Sequence, residues 1–289
     1  MPRQINPRKF VQRLLPVVRQ CSEASLIFYG NIVNLGKTFD KSLSGAKAQE
    51  ASGVLTALDN AIQDIILTIA LQHYPEIRCI AEENTILKRR FRGNRSEYAI
   101  ILDPIDGTLH FQRGDAPFHI SVGLCKNGQM QAAIVARPSE KKIFTAVRGQ
   151  GAFVQIEQSR ALRLRLGKIP KTKAAFVSSK ARDYQSLIRP DLEPREHPIG
   201  AALVLTMMAE GNLCAYLTRQ VEVYDVGPPS LIAEEAGARC FVRGGGSPSY
   251  LKNRKFPYYM AAATTKIQEQ LKAAIGAGNA PKGNADRHS

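Results

Sequence analysis

The chain is poor in the residues that build disulfide frameworks and soft-metal sites. Its 289 residues include no tryptophan, five cysteines and five histidines. The cysteines are scattered, form no Cys-x-x-Cys pair and are odd in number, which argues against a disulfide framework and a zinc–thiolate centre. The histidines do not pair at the spacing typical of metal ligands. We expect reduced, mostly buried thiols, and we expect any metal site to use oxygen ligands.

Long apolar segments are also missing. The longest apolar runs are broken by Gln, Asp, Thr or Pro before they reach the length of a membrane span. Residues 1–6 lack the charged-then-apolar order of a secretory signal. A hydrophobic content of 44% with 22% charged residues is nevertheless ordinary for a globular chain with a sizeable core. These features predict a cytoplasmic protein that does not enter a membrane.

Acidic residues are outnumbered by basic ones, 25 to 40, which gives a formal net charge of +15. Such a surface can steer an anionic substrate towards a cleft or hold nucleic acid weakly, and a solvated basic face explains it equally well. The sequence contains no basic stripe interleaved with aromatic residues and no zinc-finger or RNP-like string. We therefore predict that nucleic acid is not a partner, although a basic nucleic-acid-binding module stays open as a third alternative.

The most informative segment of the chain is Asp-Pro-Ile-Asp-Gly-Thr at residues 103–108. It follows an apolar run at residues 98–102, which is typical of a buried strand. Asp103 and Asp106 supply the closely spaced oxygens that a hard divalent cation prefers. Gly107 leaves room for a ligand to approach the backbone, and the hydroxyl of Thr108 can position a water. An ordinary Asx turn is the alternative explanation of the same residues.

Further carboxylates occur where such a site would need them. Glu82 and Glu83 follow a short predicted strand at residues 77–80, and the ends of neighbouring strands can converge. Asp59 and Asp225 each lie at the start of a predicted helix, where an Asp is also a common N-cap. Clustered carboxylates repel each other at low dielectric and need cations to offset them. The oxygen donor set favours Mg²⁺ or Mn²⁺, which suits the hydrolysis of a phosphate ester.

The hydrophobic periodicity predicts an α+β chain in two halves. Residues 1–168 combine helices with an antiparallel sheet, residues 169–275 alternate strands and helices, and residues 276–289 read as a disordered tail. A helix is predicted from residue 7, with a kink at Pro16, and a mobile loop at residues 34–53. The other predicted elements are helices from 54 to about 73, at 199–210, at 225–236 and from 264, and strands at 118–125, 130–136, 142–147, 152–156, 174–177, 213–217, 239–242 and 258–263.

Residues 103–108 together with Phe111 resemble the first signature of the inositol monophosphatase family, within the lithium-sensitive, Mg-dependent phosphatase superfamily. Residues 223–226 and 235–237 resemble its second signature. Residues 56–59, 81–83, 118–123 and 149–153 resemble further landmarks, in the family's order, between about residues 54 and 265. The resemblance implies a layered α/β/α/β/α sandwich of the inositol monophosphatase and sugar phosphatase type, a Mg²⁺-dependent phosphomonoesterase and a homodimer.

The resemblance also assigns roles to individual residues. Glu82, Asp103 and the backbone carbonyl of Ile105 would hold one metal ion, and Asp103, Asp106 and Asp225 would hold a second. Glu82 would contribute to a third, weaker ion, so that two or three Mg²⁺ ions are expected, with Mn²⁺ as a substitute. Asp225 also belongs to the expected substrate-binding residues. The roles expected at the reacting centre are water activation by Thr108 with Asp59 behind it, and phosphate binding by the amides of Gly107 and Thr108.

The chain departs from the family pattern around the second signature and before the Glu pair. Tyr224 stands where Trp is usual, and Ala81 stands where Gly is usual. Residues 227–229 replace a run of small Ala residues, and residues 197–200 also differ from the family pattern. Alignment by spacing puts Thr218, next to Arg219, where inositol-type members carry a Glu that contacts sugar hydroxyls. We include both as substrate-binding candidates.

The loss of an acid and the gain of a base suit a substrate with a second phosphate. A nucleotide 3′-phosphate or a sugar phosphate therefore ranks above inositol monophosphate, although all three small phosphorylated metabolites stay open as substrates. A catalytically inactive, phosphate-sensing regulatory protein on the same fold is the alternative function.

Overall fold

The structure is a computed structural model that describes residues 4–30, 57–188, 191–195 and 200–277. Outside these ranges lie the loop predicted at 34–53, the start of the helix predicted from residue 54, residues 196–199 and the last twelve residues of the predicted tail.

The described residues form helices and two β-sheets. The helices are α1 (Pro7–Phe28), α2 (Ala57–His73), α3 (Thr108–Arg113), α4 (Gln185–Ile188), α5 (Ala201–Ala209), α6 (Val223–Ala236) and α7 (Thr265–Ala277), with short 3₁₀ turns at Leu87–Arg90, Pro138–Glu140 and Ser179–Tyr184. The strands are β1 (Arg78–Ala81), β2 (Tyr98–Asp106), β3 (His119–Lys126), β4 (Gln129–Arg137), β5 (Lys142–Val147), β6 (Gly151–Ile156), β7 (Leu162–Leu164), β8 (Ala174–Val177), β9 (Glu193–Arg195), β10 (Ala215–Glu222), β11 (Arg239–Val242) and β12 (Lys255–Ala262).

The strands form a seven-stranded sheet in the order β1 to β7 and a five-stranded sheet in the order β11-β12-β10-β8-β9. One apolar cluster joins α1 and α2 to the outer face of the first sheet. A second cluster fills the space between the sheets, where α5 and α6 lie, and a third joins α4 and α7 to the outer face of the second sheet. The result is the layered α/β/α/β/α sandwich that the family resemblance implied.

Strand β2 shows how the sequence sets this layering. Ile100 and Leu102 pack towards α1 and α2, whereas Ala99 and Ile101 pack towards the layer between the sheets. Because successive side chains of a strand point to opposite faces, a continuous apolar run is what a strand covered on both sides requires. β2 lies in the interior of its sheet, between β1 and β3, and its carboxyl end carries the motif at residues 103–108.

Most predicted elements are present with small shifts at their ends. The hairpin predicted around Asn127 and Gly128 joins β3 to β4, and both residues have positive φ, 50° and 83°, as a tight hairpin turn requires. The antiparallel prediction holds for β2 to β7, but β1 runs parallel to β2. The short edge strands β7 and β9 were missed, although residues 162–166 around β7 alternate leucine and arginine; β9 contains a proline, which argues against a strand in the sequence. β10 runs five residues further than predicted because a residue with positive φ, Gln220, is accommodated inside it.

The start of α6 differs from the prediction. Asp225 is the third residue of the helix and Glu222 is its N-cap, and the two form a capping box in which each side chain accepts a hydrogen bond from the other's backbone amide. Pro228 and Pro229 therefore lie beyond the first turn, where they remove two intrahelical donors. The helix begins two residues earlier than predicted because Val223 and Tyr224 form its first two positions, ahead of Asp225.

No helix within the described part of the chain is both long and apolar enough for a membrane crossing. The proposed boundary at residues 168 and 169 falls between β7 of the first sheet and β8 of the second. The division into two halves stays a prediction.

Candidate active site

The two parallel strands β1 and β2 bring the first pair of carboxylates together. Ala81 pairs with Leu102, and the amide of Glu82 donates to the carbonyl of Leu102 at 3.1 Å. Glu82 is therefore the first residue after β1, and it lies beside Asp103 of β2 at the point where the pairing of the two strands ends. Besides burial, the proximity of the Glu82 carboxyl group contributes to the raised pKa of Asp103.

The turn after Asp103 is held by its own side chains. Asp103 Oδ1 accepts from the amide of Ile105 at 3.1 Å, and the hydroxyl of Thr108 donates to the carbonyl of Ile105 at 2.9 Å. Gly107 has φ of 89°, a conformation that residues with a side chain rarely adopt, and it is followed by the first turn of α3. The turn thus presents the amides of Gly107 and Thr108 at a helix N-terminus.

The remaining carboxylates are Asp106, at the end of β2, and Asp225, on a helix of the layer between the sheets. Asp225 lies in the first turn of α6, and its Oδ2 accepts from the amide of Glu222 at 3.2 Å. Asp106 Oδ2 accepts from the amide of Ala202, in the first turn of α5, at 2.8 Å. Two helix N-termini therefore point at the carboxylate cluster, and both provide amide donors that favour a negative charge there.

Gly200 makes this approach possible, and sequence reasoning did not assign it a role. A Cβ atom at this position would lie 2.3 Å from Asp106 Oδ2 and 2.4 Å from Oδ1. The backbone of Gly200 has φ of −64°, which any residue can adopt, so a glycine is needed here for space alone. The contact spans 94 positions of sequence, and no local pattern reveals it.

The electrostatics of the cluster follow from its crowding. Burial, and then the charges of Glu82, Asp106 and Asp225, raise the pKa of Asp103 well above its ordinary value. Burial raises the pKa of Asp106 to about 7, against the opposing effect of the Ala202 amide. Burial, followed by Asp106 and Glu82, likewise raises the pKa of Asp225. Each carboxylate therefore feels the others, and bound cations would remove the penalty that they impose on each other.

The donor set fits hard divalent cations. The four acidic side chains offer oxygen ligands only, which Mg²⁺ and Mn²⁺ prefer. Among the described residues, no three His, Cys, Asp or Glu side chains already surround one point at coordination distance. The Oδ2 atoms of Asp106 and Asp225 face backbone amides. An amide contact at Oδ2 leaves Oδ1 of the same carboxylate to bind an ion, and the number of ions stays a prediction.

Two further side chains support the acidic loop and were missed from the sequence. Gln63, fully buried on α2, accepts from the amide of Glu83 and donates to its carbonyl, both at 2.9 Å. Lys88 Nζ donates to the carbonyl of Ala81 at 2.5 Å. Burial lowers the pKa of Lys88, and the neighbouring Glu82 counteracts that effect. Both contacts cross a loop, and neither residue belongs to a recognisable pattern.

The remaining candidate residues lie at different distances from the cluster. Asp59 is fully buried on α2, which packs against β2. Thr218 is buried on β10 and donates to Ser178 Oγ at 2.9 Å. Arg219, the next residue of the strand, has its side chain on the opposite face, where it contacts Asp183 at 3.3 Å and the ring of Tyr258. The two neighbours therefore do not share one surface.

Two histidines flank the motif, and the charge of His110 opposes the rise that burial causes in the pKa of Asp106. His110 Nδ1 contacts Asp115 Oδ1 at 2.6 Å, and His119 is fully buried beside Arg137.

The fold and this site can be compared with known proteins. The model of the inositol monophosphatase family matches residues 19–277. A Nus factor SuhB from Pasteurella multocida is 27% identical over 253 residues, which cover 84% of this chain and 89% of the relative. An inositol-1-monophosphatase from Mycobacterium bovis is 31% identical over 188 residues, 61% of each chain. The solved structure of an IMPase from Thermotoga maritima has a TM-score of 0.72 at 18% identity and covers 93% of this chain and 99% of that one.

These matches and the acidic strand ends define the class of the protein as a phosphoric monoester hydrolase. Because the family match extends over most of its length, the chain belongs to the inositol monophosphatase family. The likeness to the Thermotoga maritima structure independently supports the layered fold.

Proposed function

We propose that the chain hydrolyses a small phosphate monoester with the help of Mg²⁺. The observation that carries this proposal is the cluster of Asp103, Asp106 and Asp225, whose pKa values are raised by burial and, for Asp103 and Asp225, by the other acidic side chains of the cluster. A group of carboxylates that oppose each other's ionisation at one strand end is what a site for dications requires. Glu82, Asp103, Asp106, Asp225 and the carbonyl of Ile105 would hold the ions.

The chemistry that bound Mg²⁺ supplies is polarisation of the phosphoryl oxygen, a lowered pKa of water and stabilisation of the leaving alkoxide. The chain's own residues orient the reactants. Because the Thr108 hydroxyl donates its proton to Ile105, its oxygen is left to accept a hydrogen bond from the attacking water. Asp59 would act behind Thr108, and the amides of Gly107 and Thr108 would receive the phosphate.

The proposal for the substrate depends on residue 218, the position at which inositol-type members of the family contact sugar hydroxyls. Thr218 replaces the acidic residue there, so the site lacks one acceptor for the hydroxyls of inositol. A nucleotide 3′-phosphate or a sugar phosphate therefore ranks above inositol monophosphate. Arg219 would favour a second phosphate by its charge, and its pairing with Asp183 would have to open for direct contact.

The family resemblance supports the remaining proposals. They are inhibition by lithium, activation by Mn²⁺ in place of Mg²⁺, a homodimer, a cytoplasmic location and a division of the chain near residue 168. Titration of turnover with Li⁺ and Mn²⁺ tests the first two, and light scattering of the purified protein tests the third.

The decisive experiment measures phosphate release from inositol monophosphates, 3′-phosphoadenosine nucleotides and sugar phosphates, with and without Mg²⁺. Asp106→Asn is the matched variant, because it keeps the shape and the acceptor for Ala202 but removes the charge. We expect Mg²⁺-dependent turnover in the wild type and its loss in a folded variant. Undiminished turnover in Asp106→Asn would refute the assignment.

The same variant separates the alternatives. A regulatory protein on this fold would bind a phosphorylated metabolite and release no phosphate from any substrate of the panel. One relative is named a Nus factor, which is a role distinct from hydrolysis. A role of that kind in this chain would survive Asp106→Asn, because it would not depend on turnover.

A further inference from the structure

A ring of buried polar contacts connects Asp106 to three side chains outside the signature motifs. The amide of Ala202 donates to Asp106 Oδ2 at 2.8 Å, and the carbonyl of Ala202 accepts from the hydroxyl of Thr206 at 2.8 Å. Thr206 Oγ1 accepts in turn from Arg137 Nη2 at 2.6 Å. Arg137 Nε donates to His119 Nε2 at 3.3 Å, and His119 is the strand partner of Asp106. The contacts thus return to the residue from which they started.

The ring lies almost entirely out of solvent. Thr206 and His119 are fully buried, and Arg137 is 2% exposed. The second terminal nitrogen of Arg137, Nη1, contacts Glu210 at 3.1 Å and Glu140 at 2.9 Å. A buried guanidinium is costly unless its donors are paired, and here each of its three nitrogens has an acceptor. Glu140 and Glu210 balance the charge of the Arg137 guanidinium, whereas Thr206 and His119 fix the orientation of the group.

The ring fixes the position of α5 along its own axis. Thr206 lies one helical turn after Ala202, on the face towards the first sheet. A shift of α5 by one residue would move the Ala202 amide by about 1.5 Å and break its bond to Asp106. Because there is no space for a Cβ atom at Gly200, α5 already lies as close to the Asp106 carboxylate as the backbone allows. Arg137, on β4, is the point at which the sheet holds the helix.

We propose that Arg137, acting through Thr206, is a positioning residue that sets the orientation of the Asp106 carboxylate. The inference rests on the proposed function in one respect, namely that Asp106 is a metal ligand. Partners behind a metal ligand orient it and are typically worth about 10- to 100-fold in metal affinity. None of the sequence motifs includes Arg137 or Thr206, whereas His119 lies within the landmark at residues 118–123.

Thr206→Val is the test, with Thr206→Ser as the conservative rescue and Glu140→Gln as the matched control. Valine preserves the shape of threonine but removes the hydroxyl, whereas serine keeps it. Glu140→Gln removes an ion pair of the same Arg137 on the side away from the ring. Arg137→Lys is the second variant, since it retains the charge but cannot reach Thr206 and His119 together; it carries the test if Thr206→Val does not fold.

Two measurements distinguish the positioning role of Arg137 and Thr206 from the premise that Asp106 is a metal ligand. Hydrogen exchange of the metal-free protein follows the amide of Ala202, and calorimetry with Mg²⁺ or Mn²⁺ alone measures metal affinity. We expect faster exchange at Ala202 and about 10- to 100-fold weaker metal binding in Thr206→Val, with wild-type values in Thr206→Ser and Glu140→Gln. Leu271→Ala, in the outer cluster beyond the second sheet, controls for general loss of stability.

Unchanged exchange in both Thr206→Val and Arg137→Lys would overturn the ring as a positioning device. Faster exchange with unchanged metal affinity would equally overturn the proposal, because the orientation of Asp106 would then not matter to the ion. If the wild type binds neither metal, the proposed function fails. Exchange at Ala202 then still decides whether Arg137 and Thr206 hold the helix against Asp106.

Discussion

Gly200→Ala is the smallest change that should disable the site. The added Cβ atom would lie 2.3, 2.4 and 2.5 Å from Oδ2, Oδ1 and Cγ of Asp106. Carbon and oxygen atoms in a packed interior do not approach closer than about 3.4 Å, so about 1 Å of space must open. Either the Asp106 carboxylate turns away or α5 moves back from β2, and both changes break the hydrogen bond from the Ala202 amide.

The two possible effects have different magnitudes. Overpacking of this kind costs about 1–3 kcal/mol in the free energy of unfolding. The loss of glycine's conformational entropy in the unfolded chain offsets about 0.4–1 kcal/mol, because φ of −64° suits alanine. Stability should therefore fall only modestly. A reacting group misplaced by 1 Å can lose about 100-fold in rate, so turnover should fall far more than stability.

The assay is Mg²⁺-dependent phosphate release together with calorimetric Mg²⁺ affinity and thermal unfolding of the metal-free protein. Gly246→Ala is the control, because a Cβ there would meet no atom within 4 Å. We expect Gly246→Ala to keep wild-type turnover and Mg²⁺ affinity. Wild-type turnover and affinity in Gly200→Ala would show that the close approach to Asp106 has no functional consequence, and the argument for the position of α5 would fall with it.

Two further predictions concern protonation and the attacking water. In the metal-free protein the pKa of Asp106 is about 7 in the folded state against an ordinary 3.8, so the folded state holds a proton that the unfolded chain loses in this range. The free energy of unfolding should therefore fall as pH rises from about 4 to about 7, and it should fall less steeply in Asp106→Asn. Saturating Mg²⁺ should remove this loss in the wild type. The same pH dependence of the free energy of unfolding in both metal-free proteins would contradict the prediction. Thr108→Val should lower kcat by about 100-fold at unchanged Mg²⁺ affinity, with recovery in Thr108→Ser, whereas an equal loss in both variants would exclude a role for the hydroxyl.

Local sequence patterns were sufficient for most helices and strands and for the first carboxylates, whereas the layered arrangement was implied by the family resemblance. The apolar run before Asp103 predicts a strand that is buried on both faces, and Gly107 with Thr108 predicts the turn into a helix. Glu82 could be placed beside Asp103 because both follow a strand, although the parallel pairing of those strands was not predicted. The family resemblance added Asp225, which no periodicity would have connected to a motif about 120 positions earlier.

The contacts that hold the site could not be predicted in the same way, because each joins residues far apart in the chain. Asp106 meets Gly200 and Ala202, and Gln63 meets Glu83, across loops whose path the sequence does not define. The N-cap of α6 was misassigned for a related reason. Glu222 ends β10 and begins the helix, and only the three-dimensional structure shows where one element passes into the next.

The residues that break the local rules lie close to Asp106. His119 and Arg137 are polar groups at the start and end of apolar strands, Thr206 is a fully buried hydroxyl in an apolar helix, and Gly200 is a glycine with an ordinary backbone conformation. Taken singly, each is unfavourable for its own element, since buried polar groups cost free energy and a glycine N-cap has no side-chain oxygen to accept from the helix amides. Together, Arg137 contacts Thr206 and His119, and Gly200 leaves room for the first turn of α5 beside Asp106. A sequence that kept residues 103–108 but replaced these four with apolar or larger residues would retain the signature and lose the support that orients Asp106.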